Sequence, residues 1–456
     1  MMGWPNNYAE YAYDSNGNVV GLVSGNNNVF QELTRKFALK KNNIATRVLC
    51  AANFTGGYST AALVTGHTYH HAIALEAPFD AVRILLSNNL TSAITGVKCA
   101  ISVVAEVQTT GALDNTKLNN SAGTWTNVTV ASSSTITLDA GTATDAYIVQ
   151  SDLIPIRSLD RTDVVGALPI LLVRVFMPKA GNATIPLIGN GIAGLTKWAT
   201  IPTTATQPPA GRLYFSRRQD VDGVTTPASF TDTTAANANS MVYGVQYLCR
   251  GQVVQTMFIG DSITQGSNSG LSIGNHTFAT KAQQSVSTTA YPVECANLGW
   301  SGQATANFLT RAQRAIPIIK PDICFYSVFS PNDGVPTNTT VSNQLYYLAQ
   351  FLSLCYTHNV IPAIFTGLPR TIDVTNAASF WTAGQDQFRI GLNALLLQYP
   401  DTLVIDASVL FGNGIYSGAV AELWGSATYT TDGLHISDTA NTILGTVIAN
   451  YLAVIK

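Results

Sequence analysis

Residues 253–264 read VVQTMFIGDSIT, an apolar run followed by glycine, aspartate and serine. The apolar part, residues 253–259, is typical of a buried β-strand, and Ser262 follows just after that strand ends. Because ligands bind at the carboxyl ends of strands in open α/β sheets, Ser262 lies where a nucleophile would be useful. Gly-Asp-Ser is equally compatible with an ordinary turn, so the choice between the two depends on the rest of the C-terminal half.

A second motif, DGLH, spans residues 432–435 and precedes a stretch, 437–455, whose apolar residues recur at helical spacing. Residues three apart in a turn can face the same way, so the Asp432 carboxylate can hold one ring nitrogen of His435. The other nitrogen is then available as the base that a serine nucleophile needs. Taken alone, Asp432 and Gly433 also suit a plain turn, with His435 packed at the start of the helix.

Two further segments offer hydrogen-bond donors for the oxyanion of an acyl-transfer intermediate. Residues 297–305, NLGWSGQAT, run from a strand end into a helical pattern and bring the Gly302 N–H to a helix start. The predicted strand 323–329 leads into Ser-Pro-Asn-Asp, from which the Asn332 amide can reach the same edge of the sheet. Each segment alone also suits a helix entry or a turn.

Taken in order, these four blocks resemble those of the SGNH hydrolases, also called the GDSL esterase family, over roughly residues 252–456. GDSIT is similar to the nucleophile block, WSGQAT to the glycine block, SPND to the block usually written GxND, and DGLH to the terminal DxxH. The resemblance implies that Ser262 is the nucleophile, His435 the base and Asp432 its orienting partner. It also implies an oxyanion hole formed by the N–H groups of Ser262 and Gly302 and by the amide of Asn332.

The chain departs from the family pattern at Ser330, which stands where the family usually has glycine. Serine is small, so we expect a slightly different backbone and a working site. The replacement Ser330→Gly is therefore expected to be tolerated.

The composition is that of a folded, charge-poor protein. Of the 456 residues, 46% are hydrophobic and only 11% are charged, and the net charge is −2. This balance offers no electrostatic footprint for nucleic acid or for an anionic membrane. The sequence has no apolar run near the ~20 residues that span a bilayer, and its first residues lack the basic-then-apolar order of a signal peptide.

Metal and redox chemistry are not predicted. The six cysteines are widely spaced without a CxxC motif, and the neighbours His70 and His71 would point to opposite faces of a strand. We therefore expect a mechanism without metal or other cofactor.

The chain divides by composition into three predicted parts: an irregular N-terminal arm over residues 1–55, a β-rich domain over 56–250, and the SGNH hydrolase domain over 251–456. The arm contains a short helical candidate at 29–38, and residues 201–209, IPTTATQPP, are predicted to be an exposed loop. The middle part predicts an antiparallel β-sandwich or jelly-roll-like domain, since short apolar runs alternate there with polar turns. Its predicted strands are 81–86, 97–107, 128–138, 168–178 and 241–248.

The last part alternates between apolar strands and helices, which predicts a parallel sheet covered on both faces. The SGNH resemblance implies the flavodoxin-like α/β version of this fold. Besides 253–259, the predicted strands are 323–329, 360–366 and 403–406, and the predicted helices are 304–319, 342–358, 385–398 and 437–455.

Several side chains lie in or near loops that reach the predicted site. Trp300 and Trp424 offer aromatic faces for a sugar ring or an acyl chain, although core packing is an equally good role for them. Arg370 follows the end of the predicted strand 360–366 and suits an acidic substrate group, with a solvated surface position as the alternative.

The leading interpretation is a serine esterase that removes O-acetyl groups from a polysaccharide or glycan. A β-sandwich beside the catalytic domain resembles the arrangement in multi-domain carbohydrate esterases, and charge-poor β-structure rich in Thr, Asn and Ser resembles bacteriophage tail and tailspike proteins. An extracellular or virion-associated location and association with further copies of the chain fit that interpretation. The alternatives are a lipid or short-chain carboxylester hydrolase, and a non-catalytic glycan-binding or structural virion protein.

Overall fold

The structure is a computed structural model of the 456-residue chain. The ranges that it describes are 10–13, 19–23, 43–49, 57–58, 66–88, 91–104, 118, 120, 123–142, 146–160, 168–178, 185–186, 196–197, 213–219, 222–224, 241–267, 277–334, 339–371, 381–399, 402–414 and 422–454. The helix predicted at 29–38 and the loop predicted at 201–209 lie outside these residues. Within them, no helix is long and apolar enough to cross a membrane.

The chain divides into two compact units that are not contiguous in sequence. One contains residues 1–40, 255–286 and 295–456, and the other contains residues 41–254 and 287–294. The grouping of residues 1–40 with the later part of the chain, and of residues 287–294 with the earlier part, was not predicted. The exact domain bounds stay a prediction.

The described strands before residue 250 pair almost entirely antiparallel. In chain order they are β1 (Glu10–Tyr13), β2 (Val19–Val23), β3 (Ile44–Val48), β4 (Gly57–Tyr58), β5 (Gly66–Ala74), β6 (Phe79–Asn88), β7 (Ile94–Val103), β8 (Thr126–Val128), β9 (Ile136–Leu138), β10 (Tyr147–Gln150), β11 (Ile154–Pro155), β12 (Ile170–Pro178), β13 (Ile185–Pro186), β14 (Thr196–Lys197), β15 (Leu213–Gln219) and β16 (Val242–Cys249). One sheet has the order β10-β6-β16-β3 and another the order β14-β15-β5-β12-β7-β8; only the β14–β15 pair is parallel among these.

The two larger antiparallel sheets share one hydrophobic cluster. Alternate residues of each long strand enter it, as Val82, Ile84 and Leu86 do on β6 and Val173 and Val175 do on β12. This period of two is what a sheet with one face buried requires. The antiparallel strands agree with the sequence analysis, while the sandwich or jelly-roll-like class of this part stays a prediction.

The predicted single strand 128–138 is wrong. Residues 130–133 form a tight two-residue hairpin, since the N–H of Val130 donates to the Ser133 carbonyl and the reverse bond is also present. Ala131 and Ser132 adopt positive φ values of 50° and 68°, as the favoured hairpin turns require. Residues 131–134, ASSS, contain no glycine or asparagine to signal the turn, so the sequence predicts one continuous strand where two strands and a turn are present.

The part after residue 250 alternates strands and helices. Its strands are β17 (Val254–Gly260), β18 (Val293–Gly299), β19 (Ile323–Ser327), β20 (Ile361–Phe365) and β21 (Leu403–Ile405). Its helices are α1 (Ser262–Gln265), α2 (Phe278–Val286), α3 (Thr305–Ile319), α4 (Val341–His358), α5 (Ala383–Leu396), α6 (Ala407–Phe411) and α7 (Asp438–Val454), with a 3₁₀ turn at Pro331–Asp333.

The five strands form one sheet in the order β18-β17-β19-β20-β21. The pairs β17–β19, β19–β20 and β20–β21 are parallel. Counted from β17, this is the order 2-1-3-4-5 of flavodoxin-like folds, in which ligands bind where the strand order reverses, beside the first strand. The predicted parallel α/β sheet is confirmed for β17, β19, β20 and β21, and β17 is the strand that leads to Ser262.

Buried phenylalanines hold the middle of this sheet. Phe258 on β17 stacks on Phe325 of β19 with ring centroids 4.5 Å apart, and Phe278 of α2 meets Phe258 edge to face. The sequence analysis did not identify α2, and it recognised β18 only by its end. Strand β18 carries the polar residues Glu294 and Asn297 in fully buried positions, which interrupts the apolar run that signals a strand.

Candidate active site

The nucleophile turn is built by residues 260–262 at the end of β17. A side chain at Gly260 would collide with Thr264, because a Cβ there would lie 2.1 Å from the Thr264 hydroxyl oxygen. Asp261 caps the short helix α1, since its Oδ1 accepts a hydrogen bond of 2.9 Å from the N–H of Ile263. Ser262 is therefore the first residue of α1, held at the carboxyl edge of the sheet.

The structure brings Ser262, His435 and Asp432 together in a line of hydrogen bonds. His435 Nε2 lies 2.9 Å from the Ser262 Oγ, and His435 Nδ1 lies 2.7 Å from Asp432 Oδ2. A carboxylate only accepts hydrogen bonds, so the ring proton is on Nδ1 and Nε2 is left to accept the Ser262 proton. Asp432 Oδ1 additionally accepts from the N–H of His435 at 2.7 Å and of Leu434 at 3.0 Å.

The loop that carries His435 is fixed by hydrogen bonds on both sides. Trp424 donates its indole N–H to the Gly433 carbonyl at 3.1 Å, and Thr430 donates its hydroxyl to the His435 carbonyl at 2.8 Å. Gly433 has a φ of 75°, a left-handed conformation that favours glycine. The base is thus oriented by a rigid turn and does not depend on the Asp432 contact alone.

The glycine block follows β18, the neighbour of β17 in the sheet. Gly302 lies in an exposed turn with a φ of 76°, and a Cβ at this position would meet open space. This turn is joined to the nucleophile turn, because the N–H of Ser301 donates to Gln265 Oε1 at 2.8 Å and the N–H of Trp300 donates to the Gly260 carbonyl at 3.0 Å. The two predicted backbone donors, at Ser262 and Gly302, therefore come from turns at the ends of adjacent strands.

Arg311 of helix α3 reinforces this junction. Its guanidinium donates through one nitrogen to the Gly260 carbonyl at 3.1 Å and to the Leu298 carbonyl at 2.7 Å, and it lies over the Trp300 ring. The side chain is buried, so these bonds link the carboxyl ends of β17 and β18 from within. Arg311 carries no sequence signal for this role, because the role depends on contacts between residues far apart in the chain.

Asn332 follows β19, the other neighbour of β17. It is exposed, and its amide nitrogen donates to the Gln303 carbonyl and to the Ser330 Oγ, each at 3.2 Å. The turn that carries it is closed by a capping box between Ser330 and Asp333. The predicted donors of the oxyanion hole thus arise from the ends of three strands that are neighbours in the sheet.

The three weakly predicted substrate contacts differ in position. Trp300 and Trp424 are only 3% and 2% exposed, so their burial favours packing and loop support over contact with substrate. Arg370 is partly buried at the cavity described below, where it donates to the Pro331 carbonyl at 3.0 Å and lies over the Trp381 ring. Arg370 remains a prediction for substrate binding, and the tryptophans are better explained as structural.

Burial shapes the charges around the site. Desolvation raises the pKa of the Asp261 carboxyl, opposed by the hydrogen bonds that it accepts from Ser330 and Ile263. Desolvation lowers the pKa of Arg370, while the nearby carboxylates of Asp261 and Asp432 act in the opposite direction. Within the described part of the chain, no group of three or more His, Cys, Asp or Glu side chains is arranged to hold a metal ion.

A small cavity adjoins the nucleophile turn. Its volume is about 40 Å³, and it is lined by Ile263, which follows Ser262, by Leu434, which precedes His435, and by the apolar rings of Phe329 and Phe365. A single water needs roughly 10–15 Å³ of space, so the cavity admits a small group. Arg370 also lines the cavity.

The strand order, with three blocks at the ends of the neighbouring strands β17, β18 and β19, defines a class: the part from β17 to α7 has the fold of an SGNH hydrolase. Comparison with solved structures finds similarity over less than half of the chain. The chain is similar to a GDSL-like lipase from Bacteroides thetaiotaomicron (16% identity, 43% of this chain and 87% of that chain, TM-score 0.31). It is also similar to a carbohydrate acetylesterase from Sinorhizobium meliloti (16% identity, 44% of this chain and 100% of that chain, TM-score 0.33). A third similar structure is a lipase/acylhydrolase from Enterococcus faecalis (22% identity, 44% of this chain and 95% of that chain, TM-score 0.33). The sequence matches no protein-family model and no curated protein.

Proposed function

We propose that the protein is a serine esterase that removes O-acetyl groups from a polysaccharide or glycan through an acyl-enzyme. The observation that carries the esterase part is the hydrogen-bonded line from Ser262 through His435 to Asp432, with distances of 2.9 Å and 2.7 Å. This is the geometry of an activated serine nucleophile.

In the first half of the proposed reaction, the Ser262 Oγ attacks the ester carbonyl while His435 Nε2 takes the proton of its hydroxyl. The imidazolium that forms is stabilised by Asp432, and it returns the proton to the leaving sugar hydroxyl as the acyl-enzyme forms. In the second half, His435 removes a proton from water as the water oxygen attacks the acyl carbon. The His435 imidazolium then gives this proton to the departing Ser262 Oγ, which releases acetate and restores the free serine. The oxyanion of each tetrahedral intermediate is bound by the N–H groups of Ser262 and Gly302 and by the Asn332 amide.

Two features support a short acyl group on a glycan. The cavity that Ile263 and Leu434 help to line is small, at about 40 Å³, and its lining is mainly apolar, which suits a short acyl chain. The β-rich half and the charge-poor composition resemble carbohydrate-active virion and tail proteins by analogy only. We include an extracellular or virion-associated location in the proposal on the same grounds.

The test compares acetate release from a panel of O-acetylated polysaccharides with turnover of p-nitrophenyl acetate, butyrate and octanoate. The proposal expects acetate from at least one glycan and a steep fall in kcat/KM from acetate to octanoate. Preference for octanoate would favour the lipid esterase alternative. No hydrolysis of any substrate by the folded parent protein would favour a non-catalytic protein.

Asn332→Ala is expected to lower kcat by roughly 10²–10³-fold with little change in KM, because its amide binds charge that develops only in the transition state. Its present contacts are long, at 3.2 Å, and catalytic hydrogen bonds often tighten only when the substrate is bound. Initial-rate kinetics on p-nitrophenyl acetate measure the effect. Full activity of the variant would mean that the two backbone N–H groups suffice.

A further inference from the structure

The residue that departs from the family pattern does not lie in a conformation that needs glycine. Ser330 has φ −119° and ψ 140°, an extended conformation open to any residue, and it caps the 3₁₀ turn at Pro331–Asp333. Its side chain is fully buried. The serine therefore adds a hydroxyl to the interior of the site at no backbone cost.

The Ser330 hydroxyl uses all its hydrogen-bonding capacity. It donates to Asp261 Oδ2 at 2.7 Å, and it accepts from the backbone N–H and the side-chain amide of Asn332, each at 3.2 Å. A hydroxyl has one hydrogen and two acceptor sites, which this set fills. The Gln303 carbonyl lies 3.0 Å away as a second acceptor for the single hydrogen. The contact with the Asp261 carboxylate is the shorter of the two and is the stronger when that carboxylate is ionised.

These contacts decide how the amide of Asn332 is oriented. Asn332 is an exposed residue, so little packing restrains its side chain. Its nitrogen carries two hydrogens, which here point to the Ser330 Oγ and the Gln303 carbonyl, each 3.2 Å away. To bind an oxyanion, the amide has to release the Gln303 carbonyl and keep the Ser330 Oγ as its anchor, so without that hydroxyl its plane can rotate.

We propose that Ser330 is a positioning residue of the oxyanion hole: its hydroxyl, anchored on the carboxylate of Asp261, orients the amide of Asn332. This inference rests on the proposed function, in which that amide binds the oxyanion. The Ser330 side chain also links the nucleophile turn after β17 to the turn after β19 that carries Asn332. The expectation that Ser330→Gly is tolerated has to be revised, because glycine removes both the acceptor of Asn332 and a donor to the buried Asp261.

Ser330→Ala is expected to lower kcat on p-nitrophenyl acetate by about tenfold, with KM unchanged, since a misdirected donor loses part of the effect of a missing one. If Ser330 acts through Asn332, the two changes are not additive. In the Asn332→Ala background, Ser330→Ala should then cost less than twofold in kcat. A parental kcat for Ser330→Ala, or the same tenfold loss in both backgrounds, would overturn the inference.

A matched control separates positioning from loss of stability. Tyr247 also has a buried hydroxyl that donates to a buried carboxylate, that of Glu294, at 2.6 Å, and it belongs to the unit without the catalytic blocks. Tyr247→Phe should lower the thermal midpoint while leaving kcat at the parental value. If Tyr247→Phe lowered both the thermal midpoint and kcat as much as Ser330→Ala does, the effect of Ser330 would be due to stability alone.

A readout without substrate keeps the inference independent of the esterase assay. In protein labelled with ¹⁵N-asparagine, Asn332→Ala identifies the side-chain amide signals of Asn332. Ser330→Ala is expected to shift these two signals and to speed their hydrogen exchange. Unchanged signals would contradict the positioning role whether or not the protein is an esterase. If the signals shifted but no Ser262-dependent hydrolysis were found, the proposed function would be wrong. The catalytic part of the inference would then be wrong too, and only the hydrogen bond between Ser330 and Asn332 would be supported.

Discussion

Ser262→Ala should abolish ester hydrolysis, with a loss in kcat of about 10⁶-fold, as expected when the nucleophile of a serine hydrolase is removed. The change deletes the oxygen that lies 2.9 Å from His435 Nε2 and removes little volume. The variant and the parent are compared in initial rates on p-nitrophenyl acetate and on an acetylated glycan.

The fold should survive this change, because Ser262 begins a helix whose cap is the side chain of Asp261 and not its own. Circular dichroism and the thermal midpoint should therefore match those of the parent. Comparable turnover in the folded variant and the parent would mean that Ser262 is not the nucleophile.

Asp432→Asn should lower kcat by about 10⁴-fold, because the base would be held in the wrong tautomer. Asp432 accepts with one oxygen from the His435 ring and with the other from the N–H groups of Leu434 and His435. An asparagine can supply an oxygen to only one of these sides. With its oxygen kept on the backbone, its NH₂ faces Nδ1, which must then give up its proton, and Nε2 no longer accepts from Ser262.

The matched control is Asp438→Asn, the same chemical change at the start of α7. Asp438 forms an ion pair with Lys281 at 2.8 Å and is 41% exposed, so its loss should cost little stability and no activity. Kinetics of both variants are measured with thermal midpoints. A loss of less than tenfold for Asp432→Asn would show that the loop, and not the carboxylate, orients His435.

The catalytic half could be predicted from sequence because its evidence is local. Each block directly follows a strand or precedes a helix, and parallel strands bring such blocks to one edge of the sheet. Ser262, His435 and Asp432 were therefore expected near one another, and the structure places them in hydrogen-bonding distance.

What could not be predicted depends on contacts between distant residues. Arg311 donates to the Gly260 carbonyl, 51 residues away in the chain, and Ser330 donates to Asp261, 69 residues away. The assignment of residues 287–294 to the β-rich unit has the same cause, since Glu294 forms a buried ion pair with Arg47 at 3.0 Å. A fragment cut near residue 250 would leave that buried carboxylate without its arginine, so the two parts are better studied in the full chain.

Substrate contacts were the least predictable feature. Aromatic residues near a site serve equally as core or as binding surface, and Trp300 and Trp424 prove to be buried. Ser330, which stands where the family usually has glycine, was expected to have little effect, because a sequence shows the size of a side chain and not the hydrogen-bond partners of its hydroxyl.

The most direct test of the central claim is covalent labelling of the native full-length protein with a fluorophosphonate, followed by peptide mass spectrometry. The account predicts a single phosphonyl adduct on Ser262, absent from Ser262→Ala and from heat-unfolded protein, and formed far more slowly by Asp432→Asn. An adduct on a different residue, or no adduct in a preparation that hydrolyses esters, would contradict the assignment of Ser262, His435 and Asp432 as the catalytic unit.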